Sequence, residues 1–206
     1  MDDRPTVFVV DDDAALRESL VFLIESVGLH VRAFDSADAF LAGVTGEAHG
    51  CLLLDVRMPG MSGLELQARL GEHGIALPVL ILTGHGDVPM AVRAMKAGAF
   101  DFFEKPFNDQ ALLDRINRAI EHDAGRRQSN ARMREVAAKL ATLSPRERQV
   151  MELVVAGRSN KEVAGDLNVS EKTVESHRAK VMLKMNADSV VELVRMVTTF
   201  RMNEGG

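Results

Sequence analysis

The chain has 206 residues, 46% of them hydrophobic, with one cysteine and 25 Lys+Arg against 30 Asp+Glu, a net charge of -5. A single cysteine excludes a disulfide framework or a cysteine metal cluster, and no stretch nears 18 uninterrupted apolar residues, so no membrane partner is expected. The acidic start MDDRPT lacks the basic residues of a signal peptide, and cytoplasmic residence is the expectation.

In chain order, TVFVVDDD (6–13) predicts a strand that stops at three acids, followed by a helix over AALRESLVFLIESVG with Leu16, Leu20, Leu23 and Val27 at helical spacing. HVRAF (30–34) predicts a second strand and 36–44 a helix capped by Ser36. CLLLD (51–55) predicts a third strand that runs into the Pro59-Gly60 turn. A helix over 63–70, a strand over PVLILTG (78–84), a helix over 88–98, a strand in AFDFFEKP (99–106) and a helix over 108–120 complete the pattern. Five strands alternating with five helices predict an α/β fold, and near-continuous apolar strands predict a doubly wound parallel sheet. Cys51 and Met58, Met61, Met90 and Met95 are expected to be packing groups.

From Glu121 the sequence turns polar and charged, with Gly125 as the natural break; its Arg, Ala, Gln, Met and Glu content favours a helix over a flexible tether. The remainder predicts four helices. Ser144, Pro145 and Glu147 form a capping box with proline at the first helical position, and Gly157 ends that helix. Asn160 is expected to cap the second helix, which ends near Leu167. Ser170 caps a third over 171–185 with Val174, Val181 and Met185 inward, and a fourth begins near Asp188 or Ser189. Residues 1–123 hold 10 Lys+Arg against 20 Asp+Glu and residues 124–206 hold 15 against 10, so only the second part has the sign suited to nucleic acid. The expected division is 1–123, a partly helical linker over 124–142, and an all-α helix-turn-helix domain over 143–206.

In a doubly wound sheet, chemistry gathers at the carboxyl ends of the strands. Asp11, Asp12, Asp13, Asp55, Thr83 and Lys105 all fall at such ends, and carboxylates from neighbouring strands need a cation, for which an all-oxygen set suits Mg²⁺. GHGDVP (84–89) has neither common arrangement of a glycine-rich phosphate loop, and His85 is expected to be a loop residue bordering the site.

On the acid cluster, LLLDVRMPGMSG (52–63), Thr83 and the Lys105-Pro106 pair, residues 7–120 resemble the flavodoxin-like receiver domain of two-component response regulators. The resemblance implies that Asp55 accepts a phosphoryl group from a histidine kinase and that Asp11, Asp12, Asp55 and the Arg57 backbone carbonyl hold Mg²⁺. Asp13 is the adjacent acid. Thr83 would hydrogen-bond the phosphoryl oxygen, Lys105 would pair with the phosphate, and Phe102 takes the place of the switch aromatic, without a hydroxyl. A cis Lys105-Pro106 bond is also implied.

LSPRERQVMELVVAG (143–157) and NKEVAGDLNVSEKTVESHRAKVMLK (160–184) resemble the helix-turn-helix module of LuxR-type transcription factors. The whole chain is similar to FixJ/NarL-type response regulators, signalling switches rather than enzymes. That likeness implies double-stranded promoter DNA as partner, contacted by Lys172, Thr173, Glu175, His177 and Arg178, with Lys161 and Lys184 touching flanking phosphates. Glu175, a carboxylate, suits cytosine N4 and is repelled by phosphate. Phosphorylation would favour a homodimer paired through residues 88–105, with RNA polymerase as a further partner. Two competing functions are an interaction module whose helical domain contacts protein, and a Mg²⁺-dependent phosphomonoester hydrolase, for which no second base or substrate pocket motif is present.

Overall fold

β1 (Thr6–Val10), β2 (His30–Phe34), β3 (Gly50–Asp55), β4 (Val79–Thr83) and β5 (Asp101–Glu104) form one sheet in the order β2-β1-β3-β4-β5, every pair parallel. The computed structural model describes residues 4–84 and 88–204, so His85 and its expected place beside the site lie outside the described residues. The strands alternate between two buried faces, as sheets covered on both sides must. Val7, Val9, Leu53, Leu80 and Leu82 pack against Leu20 and Ile24 of α1 (Ala14–Ser26) and Leu112 and Ile116 of α5 (Asp109–Ala141). On the other face, Phe8, Val10, Leu52, Leu54 and Ile81 meet Phe40 of α2 (Ala37–Gly43), Leu66 of α3 (Gly63–Arg69) and Ala94 of α4 (Val88–Lys96). Each such fully buried leucine contributes about 2 kcal/mol relative to exposure, which is why these runs cannot be surface loops.

Four expectations change, three of them before residue 142. Val27 is 50% exposed and Ile24 is buried instead, because α1 ends at Ser26 and Gly28 turns at φ +80, taking Val27 off the helical face. Met95 is 47% exposed, since Met90 and Ala94, four residues apart, supply the inward side of α4. The helix expected to stop near Ile120 continues through Gly125 to Ala141. A single interior glycine costs about 1 kcal/mol, which good helix formers on both sides offset. Asp123 also fixes this stretch: it is buried, accepting the Gly50 N–H at 3.0 Å and Arg126 Nη2 at 2.6 Å. Gly50 itself is required there, at φ +124 with a Cβ position only 2.0 Å from the Thr6 carbonyl oxygen.

The chain divides into two compact units, Met1–Arg127 and Gln128–Gly206. In the second, α6 (Pro145–Val155), α7 (Asn160–Leu167), α8 (Glu171–Met185) and α9 (Val190–Glu204) surround a core of Val150, Val154, Val163, Val174, Val181 and Leu193. Val136 and Leu140 of α5 pack on the same core. The Ser144–Glu147 capping box starts α6 with Pro145 at its first position. Ser159, not Asn160, caps α7: its hydroxyl accepts the Glu162 N–H at 3.3 Å, and the Asn160 side chain faces Arg178 instead. Among the described residues no helix is long and apolar enough to cross a membrane.

Candidate functional site

The register of the sheet assembles the first site. Val10 lies opposite Leu54, so one further residue along each strand sets Asp11 beside Asp55 at the carboxyl edge. Thr83 lies opposite Glu104, and the Lys105 N–H that follows donates to the Thr83 carbonyl at 2.7 Å, which brings Lys105 to the same edge. Its ammonium then reaches both acids, donating to Asp11 Oδ2 at 2.7 Å and Asp55 Oδ1 at 2.5 Å. Asp11 and Thr83 are each 1% exposed and Asp55 is 5% exposed.

The second oxygen of each carboxylate also accepts a hydrogen bond. Asp11 Oδ1 accepts the Asp13 N–H at 2.9 Å, and Asp55 Oδ2 accepts the Arg57 N–H at 2.6 Å. Arg17 Nη1 donates to the Asp11 carbonyl oxygen at 2.7 Å, a fixing contact from α1 that sequence reasoning missed. Gly63 is pressed against this loop, a Cβ there falling 2.0 Å from the Asp55 carbonyl oxygen. Thr83 Oγ1 points toward Met90 Sδ at 3.9 Å, and Phe102 is half-buried against the core face that α4 shares. The Lys105-Pro106 bond is cis.

Burial raises the Asp55 pKa; the hydrogen bond and charge of Lys105 and the Arg57 N–H oppose that rise, and the Asp11 charge adds to it. Partial burial opposes the charge on Lys105, but its hydrogen bonds to Asp11 and Asp55 and their charges outweigh it, so its pKa is raised. The arrangement is a carboxylate held ready but imperfectly neutralised.

Asp12 and Asp13 stay outside this cluster. Asp13 caps α1, its Oδ1 accepting from Ala15 N–H at 2.9 Å and Leu16 N–H at 3.2 Å, while Asp12 is exposed. Among the described residues no three His, Cys, Asp or Glu side chains gather at metal-holding spacing, and the cation between Asp11 and Asp55 is the Lys105 ammonium. The donor chemistry nevertheless fits Mg²⁺: two hard carboxylates close enough to share one cation, with a third exposed beside them.

The second site is the α7–turn–α8 unit. Asn168 closes α7 at φ 51, and Arg146 Nη2 donates to the Leu167 carbonyl at 2.6 Å, fixing the turn. Val174, Val181 and Met185 of α8 are buried, which turns Lys172, Glu175 and Lys180 outward; Lys161 on α7 is exposed as well. Thr173, His177 and Arg178 are half-buried. Thr173 shares a 2.8 Å hydrogen bond with Ser170, Arg178 donates to Asn160 Oδ1, and His177 Nδ1 is buried without a hydrogen-bond partner. Lys184 is exposed, and its ammonium donates to Glu147 Oε2 at 2.7 Å and to the Thr142 carbonyl at 3.0 Å. Glu147, 5% exposed, holds this ammonium as well as capping α6, a contact the sequence pattern did not show.

A 2-1-3-4-5 parallel sheet with an acid-lysine cluster at its carboxyl edge, together with a helix-turn-helix unit, defines a phosphorylation-controlled signalling regulator. The response regulator receiver domain family matches residues 7–117, and the bacterial regulatory proteins of the luxR family match residues 141–197. The chain is 51% identical to the transcriptional regulatory protein FixJ of Bradyrhizobium diazoefficiens over 92% of this chain and 93% of that protein. It is 46% identical to the response regulator protein TodT of Pseudomonas putida strain F1, over 95% of this chain and 87% of that one. Among solved structures, the response regulator StyR superposes with a TM-score of 0.87 at 47% identity, covering 95% of this chain and 98% of that one. FixJ-N superposes with a TM-score of 0.53 at 50% identity, covering 59% and 97%. The chain belongs to the response regulators that join a receiver domain to a LuxR-type helix-turn-helix. It is a phosphorylation-dependent DNA-binding transcriptional regulator of the FixJ/TodT kind, not a catalytic enzyme, with a histidine kinase and DNA as its partners.

Proposed function

We propose that Asp55 is the phospho-acceptor. The observation that carries this is the single ammonium of Lys105 held by Asp55 and Asp11 across strands 50 and 94 residues apart in sequence from it. A carboxylate oxygen of Asp55 attacks the phosphorus of the kinase's phosphohistidine; the P–O bond forms as the P–N bond breaks, and Lys105 faces charge developing on the phosphoryl oxygens. Asp11, Asp12, Asp55 and the Arg57 carbonyl would hold Mg²⁺, which when bound neutralises that same charge.

The acyl phosphate carries more negative charge than the carboxylate it replaces, so Thr83 turns its hydroxyl from Met90 toward the phosphoryl oxygen. Phe102, packed beside α4 without a hydroxyl to anchor it, follows by repacking. The surface over residues 88–105 then pairs two copies, and the two helix-turn-helix units bind two half-sites with higher apparent affinity. Lys172 and Lys161 neutralise phosphates; Thr173, His177 and Arg178 lie along the first half of α8 on its groove-facing side, and Glu175 reads a base edge. In this reading residues 1–123 receive the signal, 124–142 link and 143–206 bind promoter DNA, with RNA polymerase as a further partner in the cytoplasm.

Light scattering with Mg²⁺, with and without beryllium fluoride as an acyl-phosphate mimic, tests the assignment. The wild-type chain becomes a dimer with the mimic, and Asp55→Asn stays folded and monomeric. Dimerisation of Asp55→Asn by the mimic would remove Asp55 from the role.

A further inference from the structure

Lys184 stands where three chain segments meet. The Glu147 oxygen that accepts its ammonium also accepts the Ser144 N–H at 2.8 Å, closing the capping box that begins α6. Thr142, whose carbonyl takes another ammonium hydrogen, follows the last residue of α5. The neighbouring Leu140 carbonyl accepts from Arg148 Nη2 at 2.8 Å. Two cations therefore close the carboxyl end of α5, where unpaired carbonyls and the negative pole of the helix favour them. Because Lys184 belongs to the last turn of α8, one side chain ties the end of that helix to the start of α6 and the end of α5. The core between α6 and α8 holds their separation through Val150, Val154 and Val181, but apolar packing alone permits small sliding of one helix on another. An ion pair from the Lys184 side chain, 36% exposed, to the Glu147 carboxylate, 6% exposed, opposes that sliding, since moving the ammonium away leaves the carboxylate only Ser144 as a partner.

We infer that Lys184 is a positioning residue for DNA binding: through Glu147 and Thr142 it sets α8 against α6 and the end of α5, and it makes no phosphate contact. This rests on the reading that α8 is the DNA-facing helix. A phosphate-bound lysine releases counterions and contributes about 0.9 to the salt slope of binding; a lysine already neutralised within the protein contributes nothing to that slope. The two roles therefore separate in one titration.

The experiment uses the full-length chain activated with beryllium fluoride and a duplex selected by that chain from a random library, with affinity measured at several salt concentrations. Wild-type protein binding no duplex in either state would sink the DNA-facing reading itself, and Lys172→Ala, expected to lower the salt slope by about 1, checks which face is used. Given those controls, Lys184→Met weakens binding about tenfold or more with an unchanged salt slope. Glu147→Gln, which removes no cation, weakens binding similarly, and the double variant is no worse than the weaker single one. Lys184→Arg restores most of the affinity. A slope lowered by about 1 in Lys184→Met with normal binding by Glu147→Gln would make Lys184 a phosphate contact and overturn the inference. Wild-type affinity in the folded fraction of both variants, with only a lowered melting temperature, would overturn it too, reducing the pair to a stabilising contact. Should Lys184→Met not fold, Glu147→Gln alone decides, because the phosphate-contact role predicts equal or tighter binding for it.

Discussion

The two halves of this protein place their working charges in opposite environments. In the first, Asp11, Asp55 and Thr83 are nearly inaccessible and the two acids share one cation, Lys105, so each acid answers for the state of the other. In the second, Lys161, Lys172, Glu175 and Lys180 stand in solvent on α7 and α8, and the nearly buried charge is Glu147, which holds structure. Buried charges interact strongly and cooperatively, whereas exposed ones act through many weak, salt-screened contacts. A switch needs the first arrangement and a nucleic-acid surface the second.

The largest expected effect tests the tightness of the buried half. Gly63→Ala places a Cβ 2.0 Å from the Asp55 carbonyl oxygen and must displace the loop that leaves β3. Phosphorylation by acetyl phosphate is expected to slow by about a hundredfold, as displacements near 1 Å do in other sites, with a stability loss of about 3 kcal/mol. A rate near wild type would show that the loop yields easily and that the site is less rigid than its packing indicates.

Next in size is Lys105→Met. Asp11 and Asp55 lose their shared ammonium, so the variant is expected to bind Mg²⁺ about tenfold more tightly while losing mimic-driven dimerisation. Calorimetric titration of the metal and light scattering read the two effects separately. Weaker metal binding would mean that Lys105 organises the carboxylates more than it neutralises them.

On the exposed half, effects are graded. Lys180→Ala, at an outward position about two turns beyond Lys172, is expected to weaken DNA binding by no more than about threefold near physiological salt, consistent with an exposed, screened charge. A loss comparable to that of a buried pair would erase the contrast between the halves.

The smallest effect is one of pH. The hydrogen bond from Lys184, followed by the Ser144 N–H, holds the Glu147 carboxyl down to about 2 from its ordinary 4.5. A depressed carboxyl stabilises the fold fully above the unfolded value and loses that contribution as pH falls through the window from 4.5 to about 2. Calorimetry of the full chain should show the C-terminal transition falling across that window, and Glu147→Gln should flatten the fall. An equal fall in both would assign the acid sensitivity to other carboxylates.

The sequence by itself determined the strand and helix order, because apolar runs with period two and apolar faces with period 3.6 leave few alternatives. It also determined which polar residues meet at the carboxyl edge of the sheet, since a charge that ends an apolar strand has nowhere else to lie. Tertiary structure decided the distances and the partners. Which acid Lys105 reaches depends on the pairing of β1 with β3 and of β4 with β5, and Asp12 and Asp13 differ from Asp11 only by where the chain turns into α1. Asp123 and Glu147 look like ordinary helix acids in a linear pattern; folding buries them against Gly50 and Lys184, residues far away in sequence. Lys184 shows the same limit: its position on a basic helix is local information, but whether an ammonium faces solvent or a carboxylate is settled only when a second helix packs beside it.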